Sequence, residues 1–347
     1  MKVGIFGYGG AGKSTLFRAL GGGEGMPAPA VRSAGICTIK VPDDRLDRLA
    51  AIFRPKKVTP LAVTFVEIDP GDTALLPPET LAGIKGVDVL ALVLRGFSDD
   101  FHPSPPGGLD PVKEFRALGS ELIVSDYLVA QKRIERMTKE ARRDIEWTVL
   151  HKAVEALEKE IPLRRLPLTD DETRVLAGFR FVSQLPFLLV LNVSEETLSA
   201  EAYPELGGAA SSEGAPLIRL SARIEEEISH LSPDEQGVFL AEMGIPRPAR
   251  EQLLRGAFEA MDFICFMTAT GDELRAWNVR RGTAAVHAAG KIHSDMEKGF
   301  IRAEVVPCDE LFRCGSMAKA KAEGKVRLEG KEYVVSEGDI LHVRFHV

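Results

Sequence analysis

The chain has 347 residues, enough for two or three domains of about 150 residues and for a core that needs no disulfide or metal staple. Hydrophobic residues make up 45% and charged residues 27%, a balance that excludes disorder as the main state. The formal net charge of −7 excludes coating of nucleic acid by bulk charge, so any RNA contact has to be a local basic patch.

In chain order, residues 2–6 read as a short buried strand, and GYGGAGKST then leads into TLFRAL, whose Leu16, Phe17 and Leu20 share one helical side. The N-terminus shows neither an apolar signal core nor a cleavage site, and no apolar run reaches the roughly 18 residues of a membrane helix, so a cytoplasmic protein with no membrane partner is expected. Runs rich in Val, Ile, Leu and Phe follow at 63–68, 87–94, 187–191 and 217–220. They are continuous rather than alternating, as in the strands of a parallel sheet covered on both faces. The Pro- and Gly-dense FHPSPPGGLDP, from Phe101, marks a break before a long helical stretch.

Within that stretch, Ile123, Tyr127, Ala130, Ile134, Met137 and Ala141 repeat at alternating spacings of four and three, and Trp147, Leu150, Val154, Leu157 and Ile161 repeat likewise. The two series are out of phase around 142–146, which suggests two helices folded into an antiparallel hairpin, although no Gly or Pro marks its turn; a single kinked helix packed on the sheet is the alternative. Thr169 followed by Glu172 has capping-box spacing for the next helix. From about Phe263 onward, β-like pieces at 264–268, 273–279, 301–306, 325–328, 332–335 and 340–345, with one helical piece near 283–292, predict a small mixed β domain. Cys37, Cys265, Cys308 and Cys314 form no CxxC and lie near no His cluster, so reduced structural thiols are expected.

The chemistry concentrates in Gly7-Tyr8-Gly9-Gly10-Ala11-Gly12-Lys13-Ser14, which fits G-x-x-x-x-G-K-[ST] between a predicted strand and a predicted helix. Glycines let successive backbone N–H groups curl around phosphate oxygens, the helix N-terminus adds positive potential, Lys13 reaches the β/γ phosphates and Ser14 can ligate Mg²⁺. Asn192-Val193-Ser194-Glu195 follows the strand FLLVL where a GTPase would carry N-K-x-D, and Ser221-Ala222 follows LIRL at the second base-supporting loop. Glu195 is longer than the Asp that accepts two guanine N–H bonds. The Asn192 amide, in contrast, suits the N7 and N6 edge of adenine. A helix cap after the strand is the structural alternative for this stretch.

In order along the chain, GKSTLFRAL, CTIKVPDDRLDRLA, TFVEID, LNVSEE, LSARIEEEI, RAWNVRRGTAAVHAAGKIHSDMEKGFIRAEV and EGKEYVVSEGDILHVRFHV closely resemble the YchF/Obg-like ATPase family. The resemblance implies an α/β fold: a P-loop NTPase sheet interrupted by a helical hairpin, followed by a ubiquitin-like β-grasp (TGS) domain. It divides the chain into 1–110 and 169–262 for the nucleotide-binding domain, 111–168 for the hairpin and 263–347 for the TGS-like domain. It implies ATP preferred over GTP, Mg²⁺, and association with the ribosome or ribosomal RNA, with a monomer expected.

Matched position by position, the resemblance makes Gly7, Gly9, Gly10, Ala11, Gly12, Lys13, Ser14 and Thr15 the phosphate loop, Thr38 the switch I threonine that completes the Mg²⁺ shell with Ser14, and Asn192 and Glu195 the N-x-x-E base motif beside Ser221 and Ala222. Gly10 stands where the family has an Asn. Glu67-Ile68-Asp69-Pro70 stands where the family has D-I-A-G, so the Walker B carboxylate is Glu67 or shifts to Asp69, and Pro70 has no N–H for a γ-phosphate unless Gly71 takes its place. With Lys13, Thr38 and Glu67 as the catalytic set, slow ATP hydrolysis is expected; the alternatives are a nucleotide-gated, non-catalytic ribosome- or RNA-binding adaptor and a GTP-binding protein. Lys132, Arg133, Arg136, Lys139, Arg142 and Arg143 form one basic cluster, diluted by Glu135, Glu140 and Asp144, and Lys319, Lys321, Lys325, Arg327 and Lys331 a second; a solvated face explains each by charge alone, and the resemblance is what makes them candidates for an RNA partner.

Overall fold

The computed structural model describes residues 1–21, 31–33, 35–71, 76–98, 108–198 and 203–346. Most of the Pro- and Gly-dense break and part of the loop after Asp69 lie outside the described residues. The strands are β1 (Lys2–Phe6), β2 (Val31–Ser33), β3 (Ile36–Lys40), β4 (Lys57–Thr59), β5 (Ala62–Glu67), β6 (Val89–Gly96), β7 (Phe187–Val193), β8 (Leu217–Leu220), β9 (Phe263–Thr270), β10 (Glu273–Arg280), β11 (Phe300–Pro307), β12 (Arg327–Glu329) and β13 (Asp339–Phe345). The chain divides into two compact units, Met1–Ile39 with Thr64–Ala260, and Lys40–Val63 with Met261–Val347.

The sheet of the first unit runs β2-β3-β5-β1-β6-β7-β8. From β5 through β8 every pairing is parallel, and β2 with β3 forms an antiparallel pair at the edge. β6 and β7 are buried at every residue, which explains their unbroken apolar sequence. Phe6, Leu92, Leu94, Leu189 and Leu191 pack with Leu118 and Leu122 of the helix Pro111–Lys139 in one core. Because β1, β6, β7 and β8 are parallel, the loops at their C-terminal ends gather at one edge, where open α/β sheets hold ligands.

The predicted hairpin is present as helices Pro111–Lys139 and Ile145–Glu158. Each start is capped by an aspartate: Asp110 accepts from the Lys113 N–H and Asp144 from the Trp147 N–H. The turn is made by Ala141 at φ 53°, a left-handed alanine that no residue preference announces. Ala130, Met137, Leu150, Val154 and Leu157 form the seam together with Leu163 and Phe181, whereas Ile161, at the end of its series, is exposed.

Asp126 fastens the hairpin to the turn Val182–Gln184 that leads into β7. It is 1% exposed and accepts the N–H groups of Val182 at 2.8 Å and Ser183 at 2.7 Å. Asp126→Asn keeps the shape but leaves one acceptor oxygen for two N–H donors, so a loss of about 1–3 kcal/mol of unfolding free energy is expected. An unchanged urea midpoint would refute that role.

The second unit has the β-grasp arrangement, with order β12-β11-β13-β9-β10-β4. β9 and β10 form an antiparallel hairpin, β13 lies parallel to β9, and β11 lies antiparallel to β13. Ala285, Ala288 and Ala289 of the helix Ala285–Ile292 pack on Ile264, Phe266, Ala303, Val305 and Leu341. A different set, Leu46 and Leu49 from the helix Asp44–Phe53, packs with Cys265, Met267, Leu274 and Ala276. Residues 40–63 therefore group with this unit, whereas the sequence boundaries put them inside 1–110. The physical reason is that β4 pairs in parallel with β10 and the two leucines find their apolar cover here.

The piece expected as a strand at 332–335 is reduced to one bridge between Ala284 and Val334, and helices Cys308–Cys314 and Met317–Ala322 add to the pattern. The four cysteines are buried and form no disulfide. Burial pushes the thiols of Cys265 and Cys308 up to about 12, which keeps them protonated and inert. Among the described residues, no helix is long and apolar enough to cross a membrane.

Candidate functional site

β1 ends at Phe6, the helix Lys13–Leu20 begins six residues after that strand's loop opens at Gly7, and the loop between them turns on Gly10 at φ 76° and Gly12 at φ 89°. Glycine is needed at two places for closeness as well. A Cβ on Gly7 would lie 2.2 Å from the Val93 carbonyl oxygen, and one on Gly12 would lie 2.2 Å from Asn192 Nδ2. The loop thereby presses against β6 and β7.

Lys13 is 8% exposed and its Nζ donates to the Tyr8 carbonyl oxygen at 2.8 Å. Burial lowers its pKa, and the carboxylates of Glu67, Asp69 and Glu114 act in the opposite sense, supporting the charge. The Ser14 hydroxyl donates to Glu67 Oε1 at 2.5 Å. Beyond Glu67 the chain is held by Asp69, whose side chain accepts the Gly71 N–H at 3.0 Å and whose carbonyl accepts the Thr80 hydroxyl at 2.7 Å. The Gly71 N–H, the substitute donor considered for Pro70, is thus engaged with Asp69.

These groups open into a cavity of about 840 Å³, within the size range of small-molecule sites. Its walls are Gly10 and Gly12 to Thr15 of the loop, Phe97 and Ser98 after β6, Asn192 to Glu196 after β7, and Ser221 to Ile224 after β8. Among the expected site residues, Gly10, Gly12, Lys13, Ser14, Thr15, Asn192, Glu195, Ser221 and Ala222 line this one cavity, and Glu67 reaches it through Ser14. Gly7, Gly9 and Ala11 belong to the loop without lining the wall.

Two expectations need correction in geometry. Asn192 is 4% exposed; its Nδ2 donates to the Ala11 carbonyl at 2.9 Å and its Oδ1 accepts the Ala222 N–H at 2.9 Å. An amide with both ends engaged is a latch between the phosphate loop and the 221–222 loop rather than a pair of arms for adenine. Thr38 is not brought to the phosphate loop. Its hydroxyl sits 3.0 Å from that of Thr64, which aligns with Lys2, whereas Glu67 aligns with Ile5. Three residues of strand, about 10 Å, separate that level from the Ser14–Glu67 contact.

Sequence reasoning passed over Phe97 and Ser98, which form a wall, and Arg18, which pairs with Glu226 at 2.5 Å beside the cavity. The signal for the first pair was available: they follow a fully buried strand at its C-terminal end, where ligand loops of such sheets lie. The groups at this end are oxygens, the Ser14 hydroxyl and the Glu67 carboxylate it donates to, with the Asp69 charge acting on the neighbouring Lys13, a chemistry that fits a hard cation such as Mg²⁺ sharing its shell with phosphate. A cradle of backbone N–H groups, a buried lysine and a hydroxyl held by a carboxylate can hold a polyphosphate and its cation.

Comparison with known proteins gives the same architecture. Residues 263–346 match the family described as YchF-GTPase_C, protein of unknown function (DUF933). The chain is similar to the ribosome-binding ATPase YchF of Bacillus subtilis (strain 168), 37% identical over 366 residues with 100% of both chains covered. It is also similar to that of Pasteurella multocida (strain Pm70), 34% identical over 368 residues with 100% of this chain and 99% of the relative covered. The solved structure of the Schizosaccharomyces pombe YchF GTPase superposes with a TM-score of 0.84 at 27% identity, covering 99% of this chain and 97% of that one. With identity above 30% along the full length of its relatives and the same fold throughout, the chain belongs to the YchF family.

Proposed function

We propose that this protein binds ATP with Mg²⁺ in the cavity behind Lys13, hydrolyses it slowly, and docks on the ribosome. The observation that carries the reading is the continuity of the cavity: one space of about 840 Å³ is lined by the phosphate loop and by the 194–196 and 221–224 walls, with Asn192 latching the two loops together. Relatives named ribosome-binding ATPase support it. The absence of an N-K-x-D motif at 192–195 favours ATP over GTP.

The loop N–H groups would hold phosphate oxygens, and Lys13 would move from the Tyr8 carbonyl to the β/γ phosphates. Ser14, now held by Glu67, would hold the metal, with Glu67 and Asp69 orienting its water shell. Bound Mg²⁺ supplies charge neutralisation on the phosphate oxygens. Slow turnover follows from the far side of the site: Pro70 has no N–H, and the Gly71 N–H is engaged with Asp69. That same bond supports the second reading, a nucleotide-gated adaptor without catalysis.

The ribosome-facing surface we assign to the hairpin and the β-grasp unit. On the hairpin Arg133, Arg136 and Arg142 are each paired with an acidic neighbour, so contact with RNA phosphates has to compete with these pairs, and the phosphate contacts themselves make docking salt-dependent. The test is parallel titration with ATP and GTP, product followed over time, and sedimentation with ribosomes at low and raised salt. Tighter binding of ATP, turnover slower than about one per second and salt-sensitive sedimentation are expected; tighter binding of GTP, brisk turnover, or no sedimentation in any nucleotide state would overturn the corresponding part.

A further inference from the structure

The G-x-x-x-x-G-K-S pattern leaves its second position open, and in this chain that position is Tyr8, which faces two ways. Its hydroxyl donates to Glu121 Oε1 at 2.5 Å, on the long helix of the hairpin. Its carbonyl oxygen accepts Lys13 Nζ at 2.8 Å and the Ala11 N–H at 3.3 Å. Burial, then the carboxylates of Glu121 and Glu114, push the phenol pKa far up, so the proton stays on the tyrosine and the direction of the bond is fixed.

The same helix makes a second attachment. Glu114, seven residues before Glu121 and so on the same helical face, accepts the Arg95 N–H at 2.9 Å. Arg95 Nε donates to the Phe97 carbonyl at 3.1 Å, and Phe97 is a wall of the cavity. One face of one helix therefore grips both the loop under the phosphates and the strand end beside them.

We propose that Tyr8 is a positioning residue: its hydroxyl on Glu121 fixes the carbonyl that anchors Lys13 and ties nucleotide affinity to the placement of the hairpin's first helix. The proposal rests on the reading of the cavity as a nucleotide site. Tyr8 is packed against the core that contains Phe6, Leu118 and Leu122, which restrains the ring beside the hydrogen bond its hydroxyl makes. Coupling of this kind is reciprocal. A partner that shifts the helix loosens Lys13, and phosphates that draw Lys13 away from the carbonyl alter the hold on the helix.

The experiment uses the full chain and four variants: Tyr8→Phe, Glu121→Ala, Glu121→Gln, and Tyr8→Phe with Glu121→Ala. ATP affinity is measured by calorimetry, and amide hydrogen exchange of residues 8–14 is followed without nucleotide. Tyr8→Phe retains the packing and removes only the hydroxyl, so it and Glu121→Ala are each expected to weaken ATP binding about fivefold or more and to speed loop exchange. The double variant is expected to be no weaker than either, because one bond is lost in all three. Glu121→Gln retains an acceptor oxygen and should stay within about twofold of the unaltered protein. Effects that multiply in the double variant, or a Tyr8→Phe protein with native affinity and native loop exchange, would overturn the proposal. A protein that binds no ATP in any form would defeat the nucleotide reading instead, while loop exchange would still report on the Tyr8–Glu121 link.

Discussion

Gly12→Ala is expected to weaken ATP binding at least a hundredfold while the protein still unfolds cooperatively. Two independent costs meet at this position. Gly12 has φ 89°, and an alanine in that region costs of order 1–3 kcal/mol. Its Cβ would also lie 2.2 Å from Asn192 Nδ2. That side chain cannot swing aside, since it is 4% exposed and bonded at both ends to Ala11 and Ala222. The least costly escape is a displaced phosphate loop, which moves the N–H cradle and Lys13 together. Titration calorimetry with ATP, beside a thermal unfolding scan, reads the effect, and an affinity within about threefold of the unaltered protein would show that the latch has slack.

The second large effect is on stability against pH. Burial pushes the Glu225 and Glu114 carboxyls up to about 7 and Asp126 up to about 6, each against hydrogen bonds from backbone N–H groups that pull the other way. Groups with raised folded pKa hold more protons in the folded chain than in the unfolded one between about pH 4 and 7. Unfolding free energy should therefore fall as pH rises through that window and level off above it. Carboxylates with lowered pKa, such as the half-buried Glu172 and the exposed Glu235, act below it, losing their contribution as pH falls through the acid range. Stability should peak at the acid edge of that window, at about pH 4.

Glu225 is the simplest of the three, because burial raises its pKa and the one opposing contribution is the N–H of Ala249. Glu225→Gln should flatten the slope between pH 5 and 8 by up to about 3 kcal/mol. Urea midpoints at four pH values would show it, and a native slope in the variant would assign the dependence elsewhere.

What could be read in the residues was local. Unbroken apolar runs marked β6 and β7, a phase offset marked the hairpin, and Thr169 with Glu172 forms the capping box their spacing announced. The phosphate loop was legible because Gly7, Gly12, Lys13 and Ser14 lie within one stretch between strand and helix. Pairings made far along the chain were not legible. Leu46 and Leu49 would suit any apolar surface, and nothing near them names Cys265 and Met267 as their cover. The two ends of Asn192 were hidden for the same reason, since its partners come from two other loops. Thr38 illustrates a third limit: a match in a motif assigns a residue type, whereas the register of β5 against β1 decides where its hydroxyl lies.

The pairing of β4 with β10 has a consequence for synthesis. Lys57 aligns with Glu273, so β4 leaves the translating ribosome more than two hundred residues ahead of its partner strand. At about 5–20 residues per second, that is a wait of roughly 10–40 s. During it Leu46, Leu49 and Val58 belong to no finished sheet, while most of the first unit has already been made. A nascent chain halted before residue 261 should therefore display residues 40–63 as a protease-sensitive, chaperone-accessible loop emerging from an otherwise folded sheet, and release of the last strands should close it in a single late step.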